Sequence, residues 1–420
     1  MSLISTGGYL RGQQVVMAVT DADIYDKEVP NLINKLCNFL GYTNVSQALE
    51  KYKQSLSMAG PTYSREYLMK RHPWWKDLLD YRNLENSGKT IYKNLSDGIM
   101  SLAGDAKKIS ILQKNMPELI REKFKQDLLG DEAMSYLFEL SIAWHFHLRD
   151  YSIDWYQDDG LPHPEFKVVT PEKEFDVECK RISADSFRRM KRKDFYYMID
   201  NLLPKVREMG YCGNIELVLN SSLPSDIRKL KDICSEIILI IKNGKLKAFN
   251  EPCSFGQVTL NLSNLTKKEV DFMNMYKEMQ EQKPHEALGV IYAASYEDRP
   301  VDPIEMTCKS KKAEEILKGI RRKIAEATLS QLDKSRPSLV AFFIPEIDDF
   351  HELSSESGLA YMTKSLFNTG KRNHVLAIIY NSDIRLTMGP YWKKSYFPAL
   401  LFRNPYCIFK DFGDFEFLTH

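Results

Sequence analysis

The sequence predicts a mixed α/β protein with three regions along the chain. Residues 1–125 carry apolar residues at helical spacing, as in 31–39 and 47–56, and predict a mainly helical N-terminal region. Residues 126–250 follow the order helix, strand, strand, strand, helix, strand, which predicts an αβββαβ core in the middle of the chain. Residues 251–420 alternate helical and strand patterns again, so we expect a further α/β region there.

The composition is that of a folded protein in a reducing compartment. The 420-residue chain has a net charge of +1, which excludes a globally basic nucleic-acid coat. Its seven cysteines include no Cys-x-x-Cys pair and predict neither a zinc finger nor a disulfide framework. The longest apolar run, 237–241, is too short to span a bilayer, and residues 1–8 lack the pattern of a signal peptide. We therefore expect a cytoplasmic protein with no membrane partner.

Each element of the central core has its own local signal. Helices are predicted from apolar spacing over 131–148 and 184–209. Strands are predicted from period-two patterns at 152–156, 165–169, 175–182 and 214–219. Further along, the apolar run 339–344 follows an amphipathic helix and suits an interior strand. The sequence leaves open whether the C-terminal strands form their own sheet or extend the central one.

The most informative segment is 163–182, which reads as two strands joined by a turn. Glu165 lies at the start of the first strand. In the second strand the side chains alternate, so Asp176, Glu178 and Lys180 share one face and the apolar residues point the other way. A carboxylate beside a lysine, backed by an apolar face, is what a metal-dependent phosphodiesterase needs.

Residues 128–220 resemble the PD-(D/E)xK nuclease superfamily, whose fold is the restriction-endonuclease-like αβββαβ core. The resemblance rests on Glu139 in the first helix, Glu165 after Pro164 on the second strand, and Glu178 with Lys180 on the third. It implies hydrolysis of nucleic-acid phosphodiesters with Mg²⁺, for which Mn²⁺ substitutes. The chain departs from the family at Glu165, where the family usually has aspartate.

The same residues suit this chemistry individually. Mg²⁺ prefers oxygen ligands, so Glu165, Glu178 and the backbone carbonyl of Cys179 are the predicted metal ligands. Lys180 would position and help deprotonate the attacking water, and its ammonium could stabilise charge on the phosphate. The resemblance makes Glu139 an auxiliary acid; the alternative is a carboxylate paired with an arginine at the core edge. Asp176 is an alternative ligand in place of Glu165.

A basic run follows the motif and is the predicted nucleic-acid contact. The run comprises Arg181, Arg188, Arg189, Lys191, Arg192 and Lys193, and all of these except Lys191 are predicted contacts. If the helix covers 184–209, pairs four residues apart would form a cationic ridge that holds phosphates without reading base sequence. The alternative is an ordinary solvated helix face.

Two aromatic residues in the N-terminal region also admit two interpretations. Trp74 and Trp75 could stack on bases or anchor the core, and we favour the core.

Taken together, these features predict an endonuclease that cuts DNA with Mg²⁺. The chain has no phosphate-binding loop of the motor ATPases. By analogy, a large nuclease without its own ATPase suits prokaryotic restriction or anti-phage defence. The flanking regions would then select substrate, form a homo-oligomer or recruit a partner protein. Two alternatives stay open: a nuclease-like fold kept as a nucleic-acid-binding or scaffolding module without catalysis, and a nuclease that cuts RNA rather than DNA.

Overall fold

The structure is a computed structural model. It describes residues 14–20, 22–88, 90–157, 162–183, 185–282, 287–296, 299–312, 315–344, 358–382, 385–388 and 392–412. None of the helices among these residues has the length and apolar character needed to cross a membrane.

The α-helices are labelled in chain order. They are α1 Val29–Leu40, α2 Tyr42–Met58, α3 Pro61–Tyr63, α4 Met69–Arg71, α5 Trp75–Asn86, α6 Asp97–Leu112, α7 Glu118–Leu128, α8 Ala133–His147, α9 Arg192–Glu208, α10 Ile227–Lys242, α11 Phe272–Gln282, α12 Ile316–Glu326 and α13 Leu359–Phe367. Shorter 3₁₀ and π turns connect several of them. The mainly helical N-terminal region is therefore confirmed, because α1 to α7 fill most of it.

The β-strands are labelled in the same way. They are β1 Gln14–Thr20, β2 Ile24–Tyr25, β3 Ser152–Trp155, β4 Phe166–Val169, β5 Glu174–Arg181, β6 Tyr211–Leu219, β7 Lys247–Cys253, β8 Gly256–Asn264, β9 Leu288–Tyr296, β10 Arg299–Ser310, β11 Ser338–Phe343, β12 Val375–Asn381, β13 Arg385–Met388 and β14 Trp392–Arg403. In the described residues they form two mixed sheets. A mixed α/β class is thus confirmed.

The two sheets belong to two compact units that interleave along the chain. The first unit comprises the described residues of Met1–Gln54, Arg71–Ala184 and Leu317–His420, and the second those of Ser55–Lys70 and Asp185–Ile316. The sheet of the first unit has the order β1-β14-β12-β11-β5-β4-β3, with β2 and β13 also paired to β14. The sheet of the second unit has the order β7-β8-β6-β10-β9. These units do not follow the predicted ranges 1–125, 126–250 and 251–420.

The strand expected to complete the central core pairs elsewhere, and this corrects the prediction. Strand β6, expected at 214–219, lies in the sheet of the second unit, parallel to β10 and antiparallel to β8. The strand parallel to β5 is instead β11, with Leu339 opposite Val177. The two strands differ in burial: β11 is buried at every residue, as in a sheet covered on both faces, whereas one face of β6 is partly exposed.

Helix α8 packs against the sheet of the first unit, which accounts for its apolar character on nearly all sides. Phe138 lies 5.3 Å from Phe343 of β11 between ring centroids, and Phe146 lies 5.5 Å from Phe175 of β5. Most residues of α8 are buried in this arrangement. The helix is therefore a fixed platform beside the strands that carry the charged motif.

The tryptophan pair lies in the core of the first unit. Trp74 is 1% exposed and Trp75 is 5% exposed. The indole nitrogen of Trp74 donates to Asp105, which in turn pairs with the buried Lys108 at 2.9 Å. Neither ring is available for stacking on a base, so both are core anchors.

Candidate functional site

Strand pairing brings the charged motif residues of the first unit together. Glu178 and Lys180 lie two residues apart on β5 and therefore share a face. Glu165 directly precedes β4. Its backbone N–H donates to the Val177 carbonyl at 3.1 Å, and its own carbonyl accepts from the Tyr156 N–H at 3.3 Å. The sheet itself thus holds the Glu165 backbone beside β5.

The side chains of these residues converge. The Lys180 ammonium contacts Oε1 of Glu178 and lies 3.8 Å from Oε1 of Glu165. The Glu178 side chain is fully buried, whereas those of Lys180 and Glu165 are 19% and 28% exposed. The cluster is therefore reached from solvent past Lys180 and Glu165, with Glu178 at its floor.

Glu139 of α8 belongs to the same electrostatic cluster. Its side chain is buried, and burial followed by the charges of Glu165 and Glu178 raises its pKa well above the ordinary value. Within the described residues Glu139 has neither a hydrogen bond nor an ion pair. The alternative in which an arginine at the core edge pairs with it therefore receives no support from the described contacts.

Burial and mutual repulsion govern the carboxyl groups. Burial raises the pKa of Glu178 to about 8, the negative charge of Glu165 adds to the shift, and Lys180 opposes it. Burial also raises the pKa of Glu165. Burial alone would lower the pKa of Lys180, but the carboxylates of Glu178 and Glu165 outweigh it and the pKa is raised. Among the described residues, the cluster thus has more carboxyl groups than contacting ammonium groups.

The floor of the cluster contains an incompletely satisfied carboxylate. Both oxygens of Glu178 are buried, and neither receives a regular hydrogen bond from the described residues. Lys180 supplies the contact at Oε1. A buried carboxylate without donors is costly unless a cation meets it. Across the described residues, however, no three His, Cys, Asp or Glu side chains are grouped so as to hold a metal ion.

The backbone of Cys179 faces the Glu165 side of β5. The N–H groups of Asp176 and Ile182 donate to carbonyls on the β11 side, so backbone alternation turns the odd-numbered Cys179 toward β4. The β4 ladder ends at the pair formed by Phe166 and Val177. Cys179 lies two residues beyond this pair. The same alternation directs its carbonyl to the side of β5 on which Glu165 precedes β4.

Asp176 lies outside the cluster although it shares the strand face with Glu178. It accepts a hydrogen bond from the Tyr156 hydroxyl at 2.6 Å, and Arg336 donates to the same hydroxyl at 3.1 Å. Burial raises the pKa of Asp176, and the charges that act on it are those of Arg336, Asp333 and Glu174. Asp176 therefore has its own partners, which favours Glu165 over it as the second acid.

The basic residues do not form the predicted helical ridge. Helix α9 begins at Arg192, so Arg188 and Arg189 lie in the preceding loop. The loop contains Phe187 in the left-handed region, at φ 62°, and Asp185 accepts from the Arg192 N–H at 2.8 Å. These features end the helical pattern that apolar spacing predicted over 184–209. Arg188, Arg189, Arg192 and Lys193 belong to the second unit.

Arg181, the last residue of β5, belongs instead to the first unit. Its guanidinium lies 6.0 Å from the ring centroid of Phe343. The half-buried side chain stands directly after Lys180 in the chain.

Two charged residues near the cluster were not indicated by the sequence. Lys123 of α7 lowers the pKa of both Glu139 and Glu165, and Glu326 of α12 contributes to raising that of Glu178. Lys123 lies on the helix that directly precedes α8, whereas Glu326 comes from a helix far along the chain. No local pattern marks either residue, because only the packing of the first unit brings them near.

Comparison of the chain with protein-family models, with curated proteins and with solved structures finds no match. The interpretation of the site therefore depends on its own geometry.

Proposed function

We propose that this protein is a Mg²⁺-dependent endonuclease that hydrolyses phosphodiester bonds of DNA. The observation that carries the proposal is the buried, donor-poor carboxylate of Glu178 in contact with Lys180, with Glu165 beside them on the neighbouring strand. The site thus has a surplus of carboxyl oxygens at a place that solvent reaches, and burial favours protons on them until a cation binds. A hard divalent cation would bind these oxygens in place of the protons.

The order of elements in the first unit supports the resemblance. Helix α8 is followed by β3, β4 and β5, which pair antiparallel in sequence. Helix α12 then leads to β11, which is parallel to β5. This is the order αβββαβ, interrupted after β5 by Asp185–Ile316, whose described residues belong to the second unit. The proposal thus assigns the second αβ pair to α12 and β11 rather than to α9 and β6.

The donor set fits Mg²⁺ or Mn²⁺. Glu165, Glu178 and the Cys179 carbonyl would hold the ion; carboxylate and carbonyl oxygens are the ligands it prefers. When bound, the ion would polarise the phosphate and lower the pKa of a water molecule. Lys180 holds its proton because its pKa is raised, so its ammonium stabilises charge on the phosphate rather than accepting the proton of water. Glu139, whose raised pKa favours its protonated form, would act as an auxiliary acid beside the cluster.

The cationic residues would hold the substrate. Arg181 extends from the strand that carries Lys180, and Arg188, Arg189, Arg192 and Lys193 supply positive charge on the second unit. Such contacts bind phosphates and give no base specificity. DNA is the favoured substrate and RNA the alternative. A role in restriction or anti-phage defence, a homo-oligomer or protein partner and a cytoplasmic location stay predictions.

One observation favours a second function, a nucleic-acid-binding or scaffolding module without catalysis. Among the described residues, the acidic side chains proposed as metal ligands are two, Glu165 and Glu178, and no three His, Cys, Asp or Glu side chains are grouped so as to hold a metal ion. Calorimetric titration with Mn²⁺ and Mg²⁺ separates the two functions. We expect a single binding event in the natural chain and none in Glu178→Gln. Parallel digests of labelled DNA and RNA then identify the substrate; absence of both metal binding and cleavage would establish the inert module.

The choice between Glu165 and Asp176 gives a direct prediction. Loss of a residue that hydrogen-bonds to a metal ligand typically lowers metal affinity or activity roughly ten- to hundredfold. Because Glu165 is proposed as a ligand itself, Glu165→Gln should reduce cleavage and Mn²⁺ affinity by at least that factor. Asp176→Asn should leave both unchanged, because an amide oxygen can still accept from Tyr156. Cleavage rates and calorimetry of the two variants provide the measurement. If Asp176→Asn lost more cleavage activity and Mn²⁺ affinity than Glu165→Gln, Asp176 would be the metal ligand instead of Glu165.

A further inference from the structure

The carboxyl ends of β6 and β10 form one edge of the sheet in the second unit. The two strands are parallel neighbours. Beyond them, the Lys311 N–H donates to the Leu219 carbonyl at 2.9 Å, and the Ser310 hydroxyl donates to the Ser221 carbonyl at 3.0 Å. The Lys311 ammonium donates to the Asn220 side-chain oxygen at 3.0 Å. The segment that leaves β10 is therefore tied to the segment that leaves β6.

The basic loop before α9 is bonded to the same edge. The Arg189 carbonyl accepts from the Leu223 N–H at 2.9 Å, and the Phe187 carbonyl accepts from the Glu315 N–H at 3.2 Å. The Arg189 guanidinium also lies 3.1 Å from a Glu315 carboxylate oxygen. Three segments that are distant in sequence thus meet at one edge. Backbone hydrogen bonds fix their relative positions.

This edge is strongly cationic. We define the cationic edge as the side chains of Arg188, Arg189, Lys191, Lys193, Lys311 and Lys312. All six are exposed or half-buried. Two acids lie on the same segments: Glu315 pairs with Arg189, and Asp185 accepts from the Arg192 N–H.

Most of these charges lack an internal partner. Among the described residues, no hydrogen bond or ion pair is made by the side chains of Arg188, Lys191, Lys193 or Lys312. A group of cations on a fixed backbone, of which the described contacts pair Arg189 with an acid, suits an external polyanion with regularly spaced charges.

We propose that the cationic edge binds the phosphodiester backbone of a nucleic acid, and that Lys311 and Lys312 are two of its phosphate contacts. The identity of the polyanion rests on the proposed function, whereas the binding itself requires no metal ion. Because phosphate contacts carry no base information, the cationic edge would bind nucleic acid of any sequence. The lysine pair lies about 120 residues from the basic run in the chain, and only the parallel pairing of β6 and β10 brings the two together.

The test measures binding of a short labelled DNA duplex by the full chain in EDTA over a series of salt concentrations. Each phosphate contact contributes about 0.9 to the slope of log affinity against log salt. Lys311→Ala/Lys312→Ala should therefore reduce that slope by about 1.8 and weaken binding equally for different duplex sequences. Lys311→Arg/Lys312→Arg keeps the charges and should bind like the natural chain.

Lys242→Ala/Lys245→Ala is the matched control, since these exposed lysines lie at the carboxyl end of α10, beside β7. The control should leave the slope unchanged. An unchanged slope in Lys311→Ala/Lys312→Ala would overturn the inference even if the chain cuts DNA. Equal affinity for polyglutamate and duplex would overturn the assignment to nucleic acid. If the chain binds duplex with the expected salt dependence but does not cut it when Mg²⁺ is added, the proposed function is wrong and this inference still holds.

Discussion

Lys180→Ala is expected to lower Mg²⁺-dependent DNA cleavage at least about a hundredfold, which is the usual cost of removing a group that stabilises transition-state charge. The physical reason is that the Lys180 ammonium contacts Glu178 and lies 3.8 Å from Glu165, at the solvent-facing side of the cluster. The raised pKa of Lys180 keeps this charge in place at neutral pH. Single-turnover cleavage of a labelled duplex is the measurement.

Two further variants make this result interpretable. Lys167→Ala removes a strand lysine of the same sheet that pairs with Glu174 at 3.0 Å, outside the cluster, and should cut DNA at the natural rate. Lys180→Arg keeps a positive charge among the carboxylates; it should unfold like the natural chain and lose less activity than Lys180→Ala. Natural cleavage rates in Lys180→Ala would exclude the proposed site.

Glu178→Gln should stabilise the metal-free protein at pH 8, even though it abolishes metal binding. Burial raises the pKa of Glu178 from its ordinary value of 4.5 to about 8. The folded state therefore binds this proton more tightly than the unfolded state. The stability that the proton provides is fully present below pH 4.5 and is lost as pH rises to about 8. A neutral amide of the same shape avoids that loss.

The free energy of unfolding of Glu178→Gln at pH 8 should exceed that of the natural chain by about 3 to 5 kcal/mol, since each unit of pKa shift corresponds to about 1.36 kcal/mol. Urea unfolding in EDTA at several pH values measures it: the two chains should be equally stable near pH 4.5 and diverge as pH rises. Glu174→Gln, an exposed carboxylate on the same strand, should change stability by less than about 1 kcal/mol. Added Mg²⁺ should stabilise the natural chain and not Glu178→Gln. A less stable Glu178→Gln at pH 8 would contradict the account.

The motif strands were predictable because their signals are local. The predicted strands 152–156, 165–169 and 175–182 correspond to β3, β4 and β5 within one or two residues at each end. Period-two alternation is created by neighbouring residues, so it also placed Glu178 and Lys180 on one face. The position of Glu165 followed from the short turn between β4 and β5.

The basic ridge could not be predicted in the same way. Apolar spacing over 184–209 continues through the loop before α9, and Phe187 has no feature that marks its left-handed conformation. The loop is held by hydrogen bonds to Leu223 and Glu315, far along the chain. Local periodicity carries no information about such partners, so Arg188 and Arg189 were placed on a helix that begins only at Arg192.

What local pattern decided in this chain is the type and extent of most elements and the shared strand face of Glu178 and Lys180. What only tertiary packing decided is the partner of each strand: β11 rather than β6 lies beside β5, and β10 brings Lys311 to the basic loop. The reason is physical. Side-chain alternation arises within a few residues, whereas strand pairing depends on which buried surfaces match after the whole chain has folded.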